Sequence, residues 1–260
     1  MRDISPSMIR EALEFAETLV TDAGELIRAR SDGPFQINRK RDGSLVTEID
    51  LLVEREIRGR IKSRWPDHSV EGEEEGLEDA STEYRWLVDP IDGTMSLSHG
   101  VPLFGTIVAL QWKGESVVGV INLPTLWRCY SAGRGVGARR NGKTFQLSDV
   151  GNAGIDGEII ALGDRQQFER AGLTSTFDAI MASHRWVRTY TDCFGHCLAA
   201  EGAVGAMFDP AIQPWDIAAT QVLVREAGGR FELRALNDSG QFSVIFGKPA
   251  VVQWVFEQIR

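Results

Sequence analysis

Trp86-Leu87-Val88-Asp89-Pro90-Ile91-Asp92-Gly93-Thr94 is the stretch from which the fold is read. Trp86, Leu87 and Val88 are consecutive apolar residues, which predicts a short buried strand ending at Asp89-Pro90. Two aspartates three residues apart at such a strand end place oxygen ligands at the mouth of a sheet, where open α/β proteins carry their sites. Pro90 stiffens the turn, and Gly93 lets the backbone approach a ligand closely. A helix starting at Gly93-Thr94 would turn its free N–H groups toward a bound anion. The plainer reading is that Asp92 caps that helix, and the stretch alone leaves both open.

Upstream, Ser5 and Pro6 start an amphipathic helix whose apolar positions Ile9, Leu13, Ala16, Val20, Ala23 and Ile27 recur at helical spacing. Ser31 to Gly43 is turn-rich, with an Asp-Gly pair at each end. A second helix is predicted after Thr47, through Leu51, Leu52, Ile57 and Ile61, until Pro66. Downstream, Val101 to Val108 and Val117 to Asn122 read as paired strands turning at Lys113-Gly114. Arg139-Arg140-Asn141-Gly142 signals another hairpin. A strand at Glu158 to Leu162 opens the second half, and helices are expected at Gln166 to Ala171, Gly195 to Gly202 and Ile217 to Ala227. Strands at Gly229 to Leu233 and Ser243 to Phe246 precede a terminal helix. The expected organisation is two α/β halves, residues 1–150 and 151–260, fused into one compact unit without a linker.

Composition narrows the function. Hydrophobic residues at 43% and charged residues at 25% are the balance of a soluble globular chain long enough to bury a large core. A net charge of −9 argues against nucleic acid as the main partner, and no apolar run is long enough for a membrane helix. Cys129, Cys193 and Cys197 lack zinc-ligand spacing and are expected to be free thiols in a reducing cytoplasm. The four scattered histidines give little support to a histidine metal site or a serine triad, and the first thirty residues lack a signal-peptide pattern. Gly133, Gly135 and Gly137 superficially suggest a nucleotide loop, but Asn141-Gly142 marks them as hairpin. The seven tryptophans are expected mostly in the core.

Further carboxylates fall into suggestive places. Val70-Glu71-Gly72-Glu73-Glu74-Glu75-Gly76 reads alone as a solvated acidic face, yet its bracketing glycines allow one carboxylate to turn inward. Asp216 in Pro214-Trp215-Asp216-Ile217 sits at a helix start, and Thr47-Glu48-Ile49-Asp50 is a capping-box pattern. Each has capping as its ordinary explanation.

Taken together, Leu45-Val46-Thr47 through Asp50, Gly72-Glu73-Glu74, Asp89-Pro90-Ile91-Asp92-Gly93-Thr94 and Trp215-Asp216-Ile217-Ala218-Ala219 resemble the inositol monophosphatase superfamily in order and spacing. The resemblance implies an αβαβα sandwich and a phosphomonoesterase acting on a small phosphate ester, with a homodimer as the implied assembly. It implies that Glu73, Asp89 and the Ile91 carbonyl hold one Mg²⁺, and that Asp89, Asp92 and Asp216 hold a second, with a weaker third near Glu73. Asp50 and Thr94 fall where the family orients and deprotonates the attacking water, with Glu73 beside them. Gly93 and Thr94 fall where backbone N–H groups meet the phosphate. Oxygen ligands suit Mg²⁺, and without metal such crowded carboxylates should leave the site partly disordered or their pKa values raised.

Within the superfamily, similarity is greatest to the histidinol-phosphate phosphatase branch. It is carried by Gly100 to Thr106, by Arg188-Thr189-Tyr190-Thr191-Asp192-Cys193-Phe194-Gly195, and by Ala200-Glu201-Gly202-Ala203 leading to Asp209-Pro210. Typical inositol phosphatases have small residues at Asp192 and Cys193, and a glutamate at Asp209. Carboxylates there suit a substrate bearing a protonated amine, whereas a neutral ring needs hydroxyl partners. A surface or capping role is the ordinary alternative for Asp192. Leu97, where many members carry an aromatic, and Thr191, where a glycine is frequent, depart from the pattern.

Overall fold

The computed structural model describes residues 3–41, 43–148, 150–236 and 241–259. Helix α1 (Pro6–Ser31) begins where Ser5 caps it, its hydroxyl accepting from the Met8 N–H, with Pro6 at the first position. Ile9, Ala12, Leu13, Ala16, Leu19, Val20, Ala23 and Ile27 form its buried stripe. The turn-rich segment contains a short hairpin, β1 (Ile37–Arg39) and β2 (Leu45–Thr47), that sequence periodicity did not signal. Asp42, of the second Asp-Gly pair, lies outside the described residues. Helix α2 (Glu48–Arg64) starts on the expected capping box, Thr47 and Asp50 each bonding the other's backbone N–H.

Strands β3 (Ser69–Gly72), β4 (Gly76–Glu78) and β5 (Tyr84–Asp92) come next, followed by the short helix α3 (Thr94–Ser98). Strands β6 (Gly105–Trp112), β7 (Glu115–Leu123), β8 (Arg128–Gly133), β9 (Gly137–Arg140) and β10 (Lys143–Phe145) then complete an eight-stranded sheet ordered β10-β9-β8-β7-β6-β5-β3-β4. Beyond a 3₁₀ turn at Gly154–Gly157 lie β11 (Ile160–Leu162), α4 (Arg165–Arg170), α5 (Thr174–Ser183), β12 (Val187–Arg188), α6 (Asp192–Ala200) and β13 (Ala206–Ile212). Helix α7 (Pro214–Glu226), β14 (Arg230–Ala235), β15 (Phe242–Gly247) and α8 (Pro249–Glu257) finish the chain. The second sheet has five strands ordered β12-β11-β13-β15-β14.

Three apolar cores stack these elements into five layers. Helices α1 and α2 cover the outer face of the large sheet, through Leu13, Ile27, Ile57, Trp86, Val88 and Val108. Helices α6 and α7 lie between the sheets, where Leu87, Ile107, Ile121, Ala219, Leu223 and Phe246 meet. Helices α4, α5 and α8 close the far face of the small sheet over Phe168, Ile180, Phe208 and Val252. This is an αβαβα sandwich. Among the described residues no helix is long and apolar enough to cross a membrane.

Several boundaries differ from expectation. The strand through Trp86 does not stop at Asp89-Pro90 but runs to Asp92 across a bulge: Asp89 pairs Ile107 and Asp92 pairs Gly105, so Pro90 and Ile91 face Thr106 alone. The Thr106 hydroxyl donates to the Pro90 carbonyl at 2.8 Å, tying the bulge down. Residues 101–104 precede β6 instead of belonging to it, α6 begins at Asp192 and α7 at Pro214. Helix α5, with the weak formers Thr174, Ser175 and Thr176 at its start, was not expected. Of the tryptophans, Trp127 is 71% exposed, beneath the Arg28 guanidinium, and Trp186 is also exposed. The glycine-rich hairpin offers no free anion nest, because Glu226 of α7 already accepts from the Gly135 and Gly137 N–H groups at 2.9 Å.

One buried group in the outer core makes folding pH-dependent. His68 is stacked between Trp65 and Tyr84, and its Nδ1 accepts from the Trp86 indole at 3.1 Å. Burial lowers its pKa to about 4, with Asp67 opposing and Lys62 pushing the same way. From pH 6.5 down to 4 the unfolded chain takes the proton first, so stability falls with pH across that window, by roughly 2–3 kcal/mol. Urea titrations of wild type and His68→Gln at pH 7 and pH 4.5 should show a steeper loss in wild type. Parallel losses would mean that His68 is not kept neutral by the fold.

Candidate active site

The bulge in β5 decides which way its two aspartates point. Side chains alternate faces along a strand, so residues three apart would lie on opposite sides. The extra residue at the bulge restores parity, and Asp89 and Asp92 sit opposite Ile107 and Gly105, which share a face. Ile91 turns instead into the outer core. Both carboxylates therefore enter the layer between the sheets, where α7 brings Asp216. The backbone of Ala219 presses so closely on β7 that a Cβ at Gly119 would lie 2.5 Å from it.

Asp89 is 1% exposed, and its Oδ1 has no hydrogen-bond partner. Burial raises its pKa well above the ordinary carboxylate range, and Glu73, Asp92 and Asp216 push it further. Asp92 is raised by loss of solvent and by Asp192 and Asp216, against a 2.6 Å bond from the Cys193 N–H at the start of α6. Asp216, third residue of α7, accepts from the Gln213 N–H at 2.8 Å, so the expected capping role occupies one of its oxygens. Burial, then Glu73 and Asp209, raise its pKa well above normal.

Glu73 follows β3, which runs parallel beside β5, and its N–H donates to the Val88 carbonyl. The turn that carries it is built on a group whose role the sequence did not reveal. Glu54 of α2 is fully buried and accepts from the Glu74 and Glu75 N–H groups at 2.8 and 2.9 Å, while Arg58 pairs with it at 2.8 Å. A Cβ at Gly72 would overlap the Glu54 carboxylate, so a larger residue there would have to displace it. A second unexpected participant is Lys40, at the tip of the β1–β2 hairpin. Its ammonium bridges Glu73 and Glu74, 2.7 Å from each. Burial alone would lower its pKa, but the two carboxylates overcome this and raise it. Glu74 is lifted by burial to about 7.

Asp50 and Thr94 meet across the site. Asp50 is buried, with Oδ2 accepting from the Thr47 N–H at 2.8 Å and from the Thr47 hydroxyl. Thr94 Oγ1 lies 3.1 Å from Asp50 Oδ1 and 3.0 Å from the Ile91 carbonyl, so its one proton is shared between two acceptors. Burial raises the Asp50 pKa. Gly93 precedes the five-residue helix α3 with φ 93°.

Asp192 begins α6 in a left-handed conformation, φ 59°, uncommon for a residue other than glycine. Its pKa is raised by burial and by Asp209, against the Thr191 hydroxyl bond. Asp209, on β13, is 3% exposed with Oδ1 unpartnered, and its Oδ2 is 3.5 Å from His196 Nε2.

Comparison with known proteins identifies the family. The sequence model of the inositol monophosphatase family matches residues 8–253. The chain belongs to the inositol monophosphatase family. A histidinol-phosphatase of Chlorobaculum parvum is 36% identical over 92% of this chain and 89% of its own length. The Nus factor SuhB of Escherichia coli is 30% identical over 95% of each. The structure of a Thermotoga maritima IMPase superposes with TM-score 0.82 at 27% identity, covering 96% of this chain and all of that one. The inositol monophosphatase family is generally dependent on divalent metal, and its members act on small phosphate esters.

The residues fit such an ion. The donors are all oxygen, the deepest of them is an orphaned carboxylate oxygen, and the surrounding carboxylates raise one another's pKa, which a bound cation would offset. As they stand, no three His, Cys, Asp or Glu side chains among the described residues converge on one point. Glu73 is turned to Lys40, Asp92 to Cys193 N–H and Asp216 to Gln213 N–H.

Proposed function

We propose that this family member is a Mg²⁺-dependent phosphomonoesterase that hydrolyses histidinol phosphate to histidinol, a step of histidine biosynthesis. Glu73, Asp89, the Ile91 carbonyl, Asp92 and Asp216 would hold two Mg²⁺ ions, with a weaker third near Glu73. When bound, such ions acidify water and offset the charge of the phosphate oxygens. Thr94 and Asp50 handle the proton. Thr94 Oγ1 accepts it from the attacking water and passes its own to Asp50 Oδ1, while Thr47 holds the other Asp50 oxygen in place. Backbone N–H groups of Gly93 and Thr94 meet the phosphate.

The substrate assignment is carried by Asp192 and Asp209, two carboxylates beside a site already rich in them. Negative charge there is a cost unless the leaving group is cationic, and histidinol carries a protonated amine. The relative named histidinol-phosphatase supports the same reading. A second reading is an inositol or broad sugar phosphatase, supported by the family. The relative named a Nus factor supports a third, in which the chain works through a partner.

A panel of histidinol phosphate, inositol 1-phosphate and fructose 1,6-bisphosphate with Mg²⁺ separates them. The expected result is the highest kcat/KM on histidinol phosphate. Asp192→Asn should then lower that value about ten- to a hundredfold, the worth of one charge-assisted contact, with a small change on inositol 1-phosphate. Equal losses on both would make Asp192 a structural residue. Wild-type preference for inositol 1-phosphate would overturn the substrate.

A further inference from the structure

His196 is a buried imidazole that the proposed chemistry leaves unused. It lies on α6, 1% exposed, with its ring edge-on to Phe246 at 5.2 Å. Nδ1 is 3.0 Å from the hydroxyl of Thr220 on α7. Nε2 faces Asp209 Oδ2 of β13 at 3.5 Å, a contact that does not meet hydrogen-bond geometry, and it has no hydrogen-bond partner among the described residues. Three elements of the middle layer and the small sheet thus converge on one ring.

The ring has two neutral forms, and the neighbours choose between them. With the proton on Nδ1, the ring would donate to Thr220 and turn a bare Nε2 lone pair toward a carboxylate, which is repulsive in a buried setting. With the proton on Nε2, Thr220 donates to Nδ1 and the ring presents an N–H to Asp209. A carboxylate as buried as Asp209 needs such a donor, because withdrawing its charge from water is costly. Such a donor would also orient the carboxylate, whose Oδ1 has no hydrogen-bond partner.

We propose that His196 is a positioning residue for substrate selection: fixed by Thr220 as the Nε2–H form, it holds Asp209 so that its charge faces a cationic leaving group. The inference rests on the histidinol phosphate reading above. It assigns His196 no contact with substrate and no proton transfer.

The test compares wild type, His196→Leu, His196→Gln and Thr220→Val in the Mg²⁺-loaded enzyme. Steady-state kinetics are run on histidinol phosphate and inositol 1-phosphate, and the ring nitrogens of ¹⁵N-histidine-labelled protein are followed by NMR. Wild type should show one ring, absent from His196→Leu, with a protonated Nε2 and a bare Nδ1. His196→Leu should raise KM for histidinol phosphate about tenfold, well beyond any change on inositol 1-phosphate. Gln, whose amide can donate to Asp209, should recover most of it. Thr220→Val, nearly isosteric, should mix the two ring forms and produce a smaller loss in the same direction. Wild type favouring histidinol phosphate but losing equally on both substrates, or a ring protonated on Nδ1, overturns the positioning role alone. Wild type favouring inositol 1-phosphate overturns the substrate reading and this inference with it.

Discussion

Replacing Asp89 by asparagine should cut kcat/KM by about a thousandfold or more, while the metal-free protein melts no lower than wild type. Both parts follow from the same surroundings. Asp89 is nearly inaccessible, one of its oxygens has no partner, and Glu73, Asp92 and Asp216 all raise its pKa. In the proposed site Asp89 would help to hold the Mg²⁺ ions, so a neutral amide there should forfeit several kcal/mol of transition-state stabilisation. Without metal, the same change removes a crowded buried acid and relieves repulsion. Kinetics at saturating Mg²⁺ and a melting curve in chelator are the measurements. Turnover near wild type would sink the two-ion assignment, and a collapse of the metal-free fold would mean that Asp89 is structural.

Thr94→Ala should lower kcat about a hundredfold or more and leave KM close to wild type, with Thr94→Ser recovering much of the loss. In the proposed mechanism the hydroxyl links the water to Asp50: at 3.1 Å from Asp50 Oδ1 it is within reach to hand over its proton. Alanine keeps the Thr94 N–H for the phosphate, which is why binding should survive. A change confined to KM would reduce Thr94 to a phosphate contact.

The parts of this site that the sequence made legible are those written in local patterns. Asp89 and Asp92 were marked by an apolar run and a Gly-Thr, whereas the Thr47 capping box at Asp50 and the Pro-Trp helix start at Asp216 read alone as caps and became candidates only through the order and spacing shared with the family. What it concealed was set by tertiary pairing. Pro90 reads as the end of a strand, and only the pairing with Ile107 and Gly105 shows the strand passing through it. Lys40 reads as a solvated turn lysine until the hairpin folds it over Glu73. Glu54 and Arg58 have the spacing of a surface pair on α2, yet the neighbouring turn buries them. His196 gave no signal, since a lone histidine among Cys193, Phe194 and Cys197 looks like ordinary core.

The close seat of α7 on the large sheet has a consequence for how this fold tolerates change. Asp89 and Asp92 belong to the sheet and Asp216 to the helix, so the gap between them is fixed by layer thickness, not by any loop. Gly119 beneath Ala219 acts as a shim of minimal height. A single methyl added there lifts one jaw of a clamp whose other jaw is several strands wide. In the proposed site the spacing of the carboxylates is thereby set from inside the hydrophobic filling, so a change among its apolar residues should alter ion affinity as well as stability.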